Sequence, residues 1–141
     1  VADAATRGGK LRTGGKRIGN AGNFFEPTVI TDVPDDSLIM TEEPFGAVAP
    51  IVRFKDTAEV LPRANSLPFG LAAFAFTRDN ATAMEVGDGL KAGMVGINSM
   101  AISTPEAPFG GVGESGHGQE GGVEGLDAYL DVKLIAQARA I

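Results

Sequence analysis

Apolar stretches alternate with helix-like segments through the middle of the chain. Three apolar runs, at residues 48–54, 71–77 and 94–98, have the length and composition of buried strands. A segment beginning at Asp56 with an apolar stripe separates the first two, and a segment at about 81–90 separates the last two. Helices that join consecutive apolar strands imply parallel pairing with right-handed crossovers. The pattern therefore predicts an α/β fold with a parallel sheet.

Cap residues and prolines refine these elements. Asp56-Thr57-Ala58-Glu59 resembles a capping box, and Asp79-Asn80 precedes the second predicted helix. Pro62 lies inside the first predicted helix, so we expect a kink or an early end there. Pro50 lies inside the first apolar run and predicts an edge strand or a bulge.

Shorter segments come before this alternation. They are the end of a helix at residues 1–7, a strand at 10–13, an exposed turn at 16–23 and an extended stretch at 24–33. A short helix at about 38–43 should follow, ended by Pro44, with Asp36 or Ser37 accepting hydrogen bonds from its free amides.

A long loop and a terminal segment follow the third apolar run. Residues 99–119 are rich in Gly, Ser and Pro and come after the carboxyl end of a predicted parallel strand. Loops of this length are usually functional, and open α/β sheets bind ligands at this edge. A helix is expected from about residue 120 to 126 or beyond. Residues 129–137 alternate like a strand, which would offer a free edge to another subunit.

Composition excludes several classes of function. The chain of 141 residues fits one domain, and its net charge of −6 argues against a nucleic-acid partner. No apolar run approaches about 18 residues, so no membrane span is expected. The start lacks the features of a secretion signal, which favours the cytoplasm. It also lacks Met and enters part-way into a helix, which indicates a piece of a longer protein.

Cysteine and histidine usage narrows the chemistry. The chain has no cysteine, so it carries no disulfide, no thiolate metal site and no cysteine nucleophile. His117 is the single histidine in the sequence, and we expect no metal site.

Three short motifs have both a chemical and an ordinary interpretation. The spans 111–116 and 116–121 each match G-x-G-x-x-G, but neither follows a strand directly, as a dinucleotide fingerprint requires. Ser115 and His117 suggest a hydrolase pair, although a loop-capping or exposed histidine is the favoured alternative. Adjacent Glu42-Glu43 suggests paired carboxylates, but neighbours on a helix point about 100° apart and both are ordinary surface acids by spacing alone.

A set of motifs, in order and at matching spacing, resembles the aldehyde dehydrogenase superfamily. The motifs are Gly14-Gly15-Lys16, Phe25-Glu26-Pro27-Thr28-Val29, Glu42-Glu43-Pro44-Phe45-Gly46, Phe69-Gly70-Leu71-Ala72-Ala73, Gly93-Met94-Val95-Gly96-Ile97-Asn98 and Pro108-Phe109-Gly110-Gly111, followed by Ser115-Gly116 and Gly118. They cover essentially the whole chain and resemble the C-terminal third of such an enzyme.

This resemblance implies an architecture and a reaction. Residues 1–126 would form part of a Rossmann-like catalytic domain with a parallel sheet, and residues 127–141 a C-terminal oligomerisation strand that makes a homo-oligomer. The family oxidises aldehydes: a cysteine thiolate attacks the carbonyl, hydride passes to NAD or NADP, and water releases the acid. Because this chain has no cysteine, we expect it to contain no catalytic residue and to be inactive alone.

The resemblance also assigns roles to individual residues. Glu43 would bind the ribose hydroxyls on the nicotinamide side of the cofactor, and Phe45 would pack nearby. Phe109 would line the channel for a small-molecule aldehyde. The loop 101–104 resembles the branch that acts on succinate semialdehyde and similar acid-bearing aldehydes, in which Ser103 would help to hold the distal carboxylate. A loop-capping hydroxyl is the alternative for Ser103.

Some positions depart from the family pattern. Ala47 stands where Pro is frequent, Gly113 where Lys is common, and Gln119 where Arg is common. Asp131 would serve the subunit interface. Two other functions stay open: a non-catalytic assembly module that pairs its exposed edge with another chain, and an independent dinucleotide-binding domain.

Overall fold

The computed structural model describes residues 1–139, and these divide into two compact units. The first unit is Val1–Lys55, and the second runs from Asp56 onward. The first unit contains α1 (Ala2–Thr6), β1 (Lys10–Thr13), β2 (Thr28–Thr31), α2 (Leu38–Thr41) and β3 (Val48–Ile51). The second contains α3 (Thr57–Ala64), β4 (Phe69–Gly70), β5 (Ala72–Ala75), α4 (Asn80–Gly89), β6 (Met94–Ile97), β7 (Val112–Gly113) and a 3₁₀ helix (Glu124–Tyr129). The predicted α/β class is confirmed.

A three-stranded sheet in the order β1-β2-β3 organises the first unit. β1 is antiparallel to β2, with Lys10 opposite Thr31, and β2 is parallel to β3, with Thr28 opposite Val48. β3 lies at the edge of this sheet. An edge strand tolerates Pro50, which has no amide to donate, and the prediction of an edge position is therefore confirmed.

The core of the first unit forms where β2 meets the two short helices. Ala4, Ile30 and Val33 are buried there, and Ile30 is completely inaccessible to solvent. Partly buried hydrophobic side chains pack around them: Ile39, Met40, Val48 and Val52. The central strand of the sheet thus supplies the most deeply buried hydrophobic side chain of this core.

The start of α2 is capped from a distant part of the chain. Ser37 is the N-cap residue, but its hydroxyl is buried without a hydrogen-bond partner among the described residues. The amide of Leu38 instead donates to Asp3 Oδ2 at 2.8 Å, and Arg7 bridges Asp3 and Asp36. The prediction that Asp36 or Ser37 would accept the helix amides is wrong, because a carboxylate 35 residues away reaches the helix end first.

Local caps in the second unit follow the sequence. The carboxylate of Asp56 accepts from the amide of Glu59 at 2.9 Å, and Asp79 accepts from the amide of Thr82 at 2.7 Å. Both predicted caps are confirmed. α3 contains Pro62 and ends two residues later at Ala64, which agrees with the expected early end.

The parallel strands of the chain are distributed differently from the prediction. β3 pairs with β2 in the first unit, whereas β5 pairs in parallel with β6 in the second, so the three apolar runs share no single sheet within residues 1–139. β3 and β5 alternate between exposed and half-buried residues, and only β6 alternates between buried and half-buried ones. The expectation of a buried strand at residues 48–54 is therefore wrong for this chain.

The region after the long loop also differs from expectation. The helix predicted at 120–126 is a 3₁₀ helix displaced to Glu124–Tyr129. Residues 130–139 are exposed and belong to no sheet in the described part of the chain. Residues 140 and 141 of the predicted terminal strand lie outside the described residues. Among residues 1–139 the longest helix is α4 with ten residues, too short to cross a bilayer.

Candidate functional site

Glu43 and Phe45 lie in the turn between α2 and β3. The backbone leaves the helix at Glu42, and Pro44 prevents its continuation. Glu43 and Phe45 line one hollow of about 200 Å³ in the first unit, which we call the Glu43 hollow. Its remaining wall comes from the same turn, from Leu38 and Ile39 of α2, from Val48 of β3 and from Val1.

The side chains of the Glu43 hollow are available to a ligand. The Glu43 carboxylate makes no hydrogen bond or ion pair within residues 1–139, and the Phe45 side chain is 94% exposed. A carboxylate accepts hydrogen bonds from hydroxyl groups. Covering an exposed ring with a flat apolar group removes apolar surface from water, which favours binding. The hollow is smaller than the roughly 300 Å³ at which small-molecule pockets begin. It therefore suits a sugar-sized part of a cofactor.

Ser103 and Phe109 line one cavity of about 450 Å³ in the second unit, which we call the Ser103 cavity. Thr104, Pro105, Glu120 and Gly121 complete its wall. Phe109 is half-buried and Ser103 is exposed. The Ser103 hydroxyl has no hydrogen-bond partner among the described residues, so it does not cap the loop and is free to bind a ligand.

Asn98 fixes the start of the loop that carries Ser103. Its side-chain oxygen accepts from the amide of Thr77 at 2.9 Å, and its side-chain nitrogen donates to the carbonyl of Thr77 at 2.8 Å. Its own amide donates to Ala75. The backbone of Asn98 has φ of +53°, a conformation that Asn adopts more readily than most residues. Asn98 was expected only as the end of a strand, but an Asn directly after an apolar strand is a usable sequence signal for such a turn.

The other end of the loop is fixed by residues 120–122. Phe109 and Glu120 exchange two backbone hydrogen bonds, of 2.6 and 2.7 Å, in an isolated antiparallel bridge. The amide of Gly122 donates to the carbonyl of Pro105 at 3.0 Å. Nothing in the sequence pattern indicated this pairing, because it joins two irregular segments.

The glycine-rich motifs serve the fold. β7 lies inside the first G-x-G-x-x-G match and pairs antiparallel with β4, and no helix of the described chain begins at Gly116 or Gly121. Both matches therefore lack the strand–loop–helix geometry of a dinucleotide fingerprint. The Ser115 hydroxyl accepts from the amide of Gly70 at 2.9 Å, and His117 is exposed. Ser115 thus has the ordinary role of holding a loop.

A further cavity of about 760 Å³ in the second unit is lined mainly by glycine-rich residues 110–121 together with Leu71 and Tyr129. We call it the glycine cavity. Phe109, Glu120 and Gly121 line both this cavity and the Ser103 cavity. The bridge between Phe109 and Glu120 is therefore a wall that the two cavities share.

The carboxyl groups with shifted pKa values have structural partners. The hydrogen bond from Arg7 lowers the pKa of Asp3, and the hydrogen bond from Lys10 lowers that of Asp32. The hydrogen bond from the Thr82 hydroxyl lowers the pKa of Asp79 at the start of α4. None of the three aspartates lines the Glu43 hollow, the Ser103 cavity or the glycine cavity.

The family model and several similar proteins point to the same family. The sequence model of the aldehyde dehydrogenase family matches residues 1–135. Over 135 residues, the chain is 46% identical to glutarate-semialdehyde dehydrogenase of Pseudomonas aeruginosa, covering 96% of this chain and 28% of that protein. It is equally identical, with the same coverage, to the NADP(+) succinate-semialdehyde dehydrogenase GabD of Escherichia coli.

A solved structure agrees with the sequence matches. The NAD+ complex of an aldehyde dehydrogenase from Bacillus cereus superimposes with a TM-score of 0.87 at 42% identity, covering 94% of this chain and 27% of that one. The chain spans about 28% of the length of the curated relatives that it matches. The chain belongs to the aldehyde dehydrogenase family.

Proposed function

We propose that the chain contributes cofactor-binding and substrate-binding residues to an enzyme that oxidises an acid-bearing aldehyde, such as succinate semialdehyde, to the carboxylic acid. The supporting observation is the Ser103 cavity, where a free hydroxyl and the ring of Phe109 line one space. The identity of 46% with proteins named as succinate- and glutarate-semialdehyde dehydrogenases supports the substrate class. Residues 1–126 belong to the catalytic domain in this proposal.

The Glu43 hollow has side chains that fit one end of NAD or NADP. The Glu43 carboxylate accepts hydrogen bonds from ribose hydroxyls, and the exposed ring of Phe45 packs against the cofactor beside that ribose. NAD or NADP held there would supply the acceptor for the hydride that leaves the substrate carbon. The two protein groups hold and orient the cofactor without taking part in bond making.

The Ser103 cavity has side chains that fit the two ends of an acid-bearing aldehyde. The Phe109 ring offers an apolar wall that orients the carbonyl end and excludes water. The Ser103 hydroxyl donates a hydrogen bond to the distal carboxylate, and such bonds to charged groups contribute ~1.5–3 kcal/mol. A thiol nucleophile has to come from polypeptide outside these 141 residues, since the chain has no cysteine.

A chimera tests this proposal. Residues 1–135 replace the matching segment of the Escherichia coli enzyme, and reduction of NADP by succinate semialdehyde is followed at 340 nm. We expect turnover by the chimera and none by the 141-residue chain alone. A chimera that folds and binds NADP but does not oxidise any semialdehyde would contradict the proposal, as would turnover by the isolated chain.

Substitutions in the chimera test the individual roles. Ser103→Ala should raise KM about tenfold for succinate semialdehyde, equivalent to about 1.4 kcal/mol, and leave KM for a neutral aldehyde of similar length nearly unchanged. Thr104→Val is the matched control, because it removes a hydroxyl from the same cavity and keeps the side-chain shape. Equal effects of Ser103→Ala on both aldehydes would remove Ser103 from carboxylate binding.

The cofactor role has its own test. Glu43→Gln keeps the size of the side chain but replaces a carboxylate by an amide, which is a weaker acceptor for ribose hydroxyls. We expect Kd for NAD or NADP to rise about tenfold, measured by titration calorimetry. Glu42→Gln is the control on the same turn. Unchanged cofactor affinity in Glu43→Gln would exclude the ribose contact.

Residues 127–141 are proposed to pair with a second copy of the enzyme and so form a homo-oligomer. Leu130, Val132, Leu134 and Ile135 are 66–103% exposed, and no strand of the described chain pairs with them. Exposed apolar residues in an extended segment are typical of a strand that pairs with another chain. Asp131 lies among them.

Deletion separates this role from the alternative function as an assembly module. Removing residues 129–135 of the chimera, together with the terminal residues that follow them, should lower its oligomeric state, measured by light scattering after size exclusion. Loss of self-association in a chain that never binds a dinucleotide would favour the assembly module over the dehydrogenase. An unchanged oligomeric state would contradict the proposed strand.

A further inference from the structure

Gly121 allows an unusually close approach between two irregular segments of the second unit. Its backbone has φ of +66°, in the left-handed region that favours glycine. A Cβ atom at this position would lie 2.7 Å from the carbonyl oxygen of Ala107 and 3.4 Å from that of Pro105. A side chain here would therefore be strained by its own backbone and would also press on the loop that carries Ser103.

The neighbours of Gly121 tie the same loop by hydrogen bonds. Glu120 exchanges two backbone hydrogen bonds with Phe109, and Gly122 donates one to Pro105. Three consecutive residues thus touch the loop between Ser103 and Phe109. We call residues 120–122 the clasp.

The clasp forms part of the wall of the Ser103 cavity. Glu120 and Gly121 line this cavity and also the glycine cavity behind it. A displacement of the loop at Pro105–Ala107 would shift its two ends, where Ser103 and Phe109 lie, and so change the width of the cavity between them.

We propose that Gly121 is a positioning residue that sets the distance between Ser103 and Phe109 and thereby the length of aldehyde that the cavity accepts. This inference depends on the proposed function of the cavity. Although Gly121 lines the cavity, its proposed role is to let the clasp approach the loop and not to bind the substrate or the cofactor.

Amide hydrogen exchange on the whole 141-residue chain tests the positioning role directly. In the unmodified chain, the amides of Phe109, Glu120 and Gly122 should exchange more slowly than those of the hydrogen-bond-free positions in the same loop. Gly121→Ala should accelerate exchange at these three amides about tenfold. Exchange of the three amides at the rate of an unfolded peptide in the unmodified chain would overturn the proposal, whether or not the variant folds.

Gly118→Ala is the matched control. Gly118 lies in the same loop with φ of +76°, but a Cβ atom there would meet nothing within 4 Å. The two variants share the backbone strain and differ in the pressure on Ala107. Equal acceleration of exchange in both variants would overturn the specific role of Gly121.

The same pair of variants in the chimera tests the effect on substrate choice. Gly121→Ala should lower kcat/KM for succinate semialdehyde between about 10-fold and about 100-fold, and should change the ratio between acid-bearing aldehydes of different length. Gly118→Ala should leave that ratio unchanged. Faster exchange with unchanged kinetics for every aldehyde would reject the proposed function of the cavity, whereas unchanged exchange would reject the positioning role alone.

Discussion

In the first unit Ile30 is completely buried together with Ala4 and Val33, whereas Met94 is the sole buried hydrophobic side chain in the described part of the second unit. Close backbone approach at glycines occurs in both units, but in the second unit it accompanies a much smaller set of buried side chains. Added Cβ atoms at Gly70 and Gly93 would collide with backbone carbonyl oxygens.

Two asparagine side chains of the second unit each donate one hydrogen bond to the backbone and accept another from it, and we call them polar clamps. Asn65 donates to the carbonyl of Gly89 at 2.7 Å and accepts from the amide of Lys91 at 2.8 Å, which ties the end of α3 to the end of α4. Asn98 makes a similar pair of hydrogen bonds to Thr77. These contacts fix backbone positions without needing much buried apolar surface.

The difference between the units predicts where a substitution will act. A unit with a side-chain core loses stability when a buried side chain loses volume. A segment held by backbone approach moves when a side chain is added, and the Ser103 cavity lies on such a segment. Core changes in the first unit should therefore affect stability, and glycine changes in the second unit should affect geometry.

The largest expected effect comes from emptying the first core. Ile30→Ala should lower the free energy of unfolding of the first unit by about 2–5 kcal/mol, because it removes buried methyl groups and leaves a cavity. Leu11→Ala, at a position 44% exposed on the neighbouring strand, should cost much less. Amide hydrogen exchange, resolved by residue, measures the free energy of unfolding of each unit separately. Equal losses from Ile30→Ala and Leu11→Ala would show that the first unit has no specific core.

A pair of glycine substitutions tests the second unit. Gly93→Ala should lower its free energy of unfolding by about 1–3 kcal/mol and displace Gly110, whose carbonyl oxygen occupies the space of the new methyl group. Gly87→Ala lies in α4 with open space around it and should stabilise by about 0.5–1 kcal/mol. Urea denaturation measures both. Stabilisation by both substitutions would refute the role of backbone approach.

Removal of a polar clamp should have a smaller effect. Asn98→Ala leaves the amide and carbonyl of Thr77 without their partners and places Ala at φ of +53°, for a loss of about 1–2 kcal/mol. Asn80→Ala at the start of α4 is the control, because Asn80 is exposed and makes no side-chain hydrogen bond within residues 1–139. The amide of Thr77 should lose protection from exchange in the first variant and keep it in the second.

Lowering the pH should have the smallest effect on the free energy of unfolding, and this effect should be divided among three aspartates. Hydrogen bonds from Arg7, Lys10 and Thr82 lower the pKa values of Asp3, Asp32 and Asp79 in the folded chain. A lowered folded pKa means that the unfolded chain binds more protons, so the stabilisation is present above the unfolded pKa of about 3.9 and is lost as pH falls through the folded values.

The stability of the first unit should depend more on acid pH than that of the second. Asp3 and Asp32 belong to the first unit and Asp79 to the second, so exchange protection in the first unit should fall more steeply below about pH 4. Asp3→Asn should flatten this dependence in the first unit. A steeper acid response in the second unit would contradict the assignment.

Local rules predicted much of this chain. The caps at Asp56 and Asp79 and the strand at residues 94–97 follow from residues within one turn or one strand of each other. The expectations that failed concern longer distances. The burial of a strand depends on what covers it, and the 3₁₀ helix at Glu124–Tyr129 begins only after residues 120–122 have paired with the loop.

The sequence by itself determined many of the local elements and the family, because caps, apolar periods and motif spacing are written in neighbouring residues. The binding roles of Glu43, Phe45, Ser103 and Phe109 stay predictions. Only the tertiary structure decided that Asp3 caps α2 and that Phe109 pairs with Glu120. It alone placed Ser103 and Phe109 on one cavity. The reason is physical: backbone groups in irregular segments find their partners by proximity after folding, and no periodic pattern encodes that proximity.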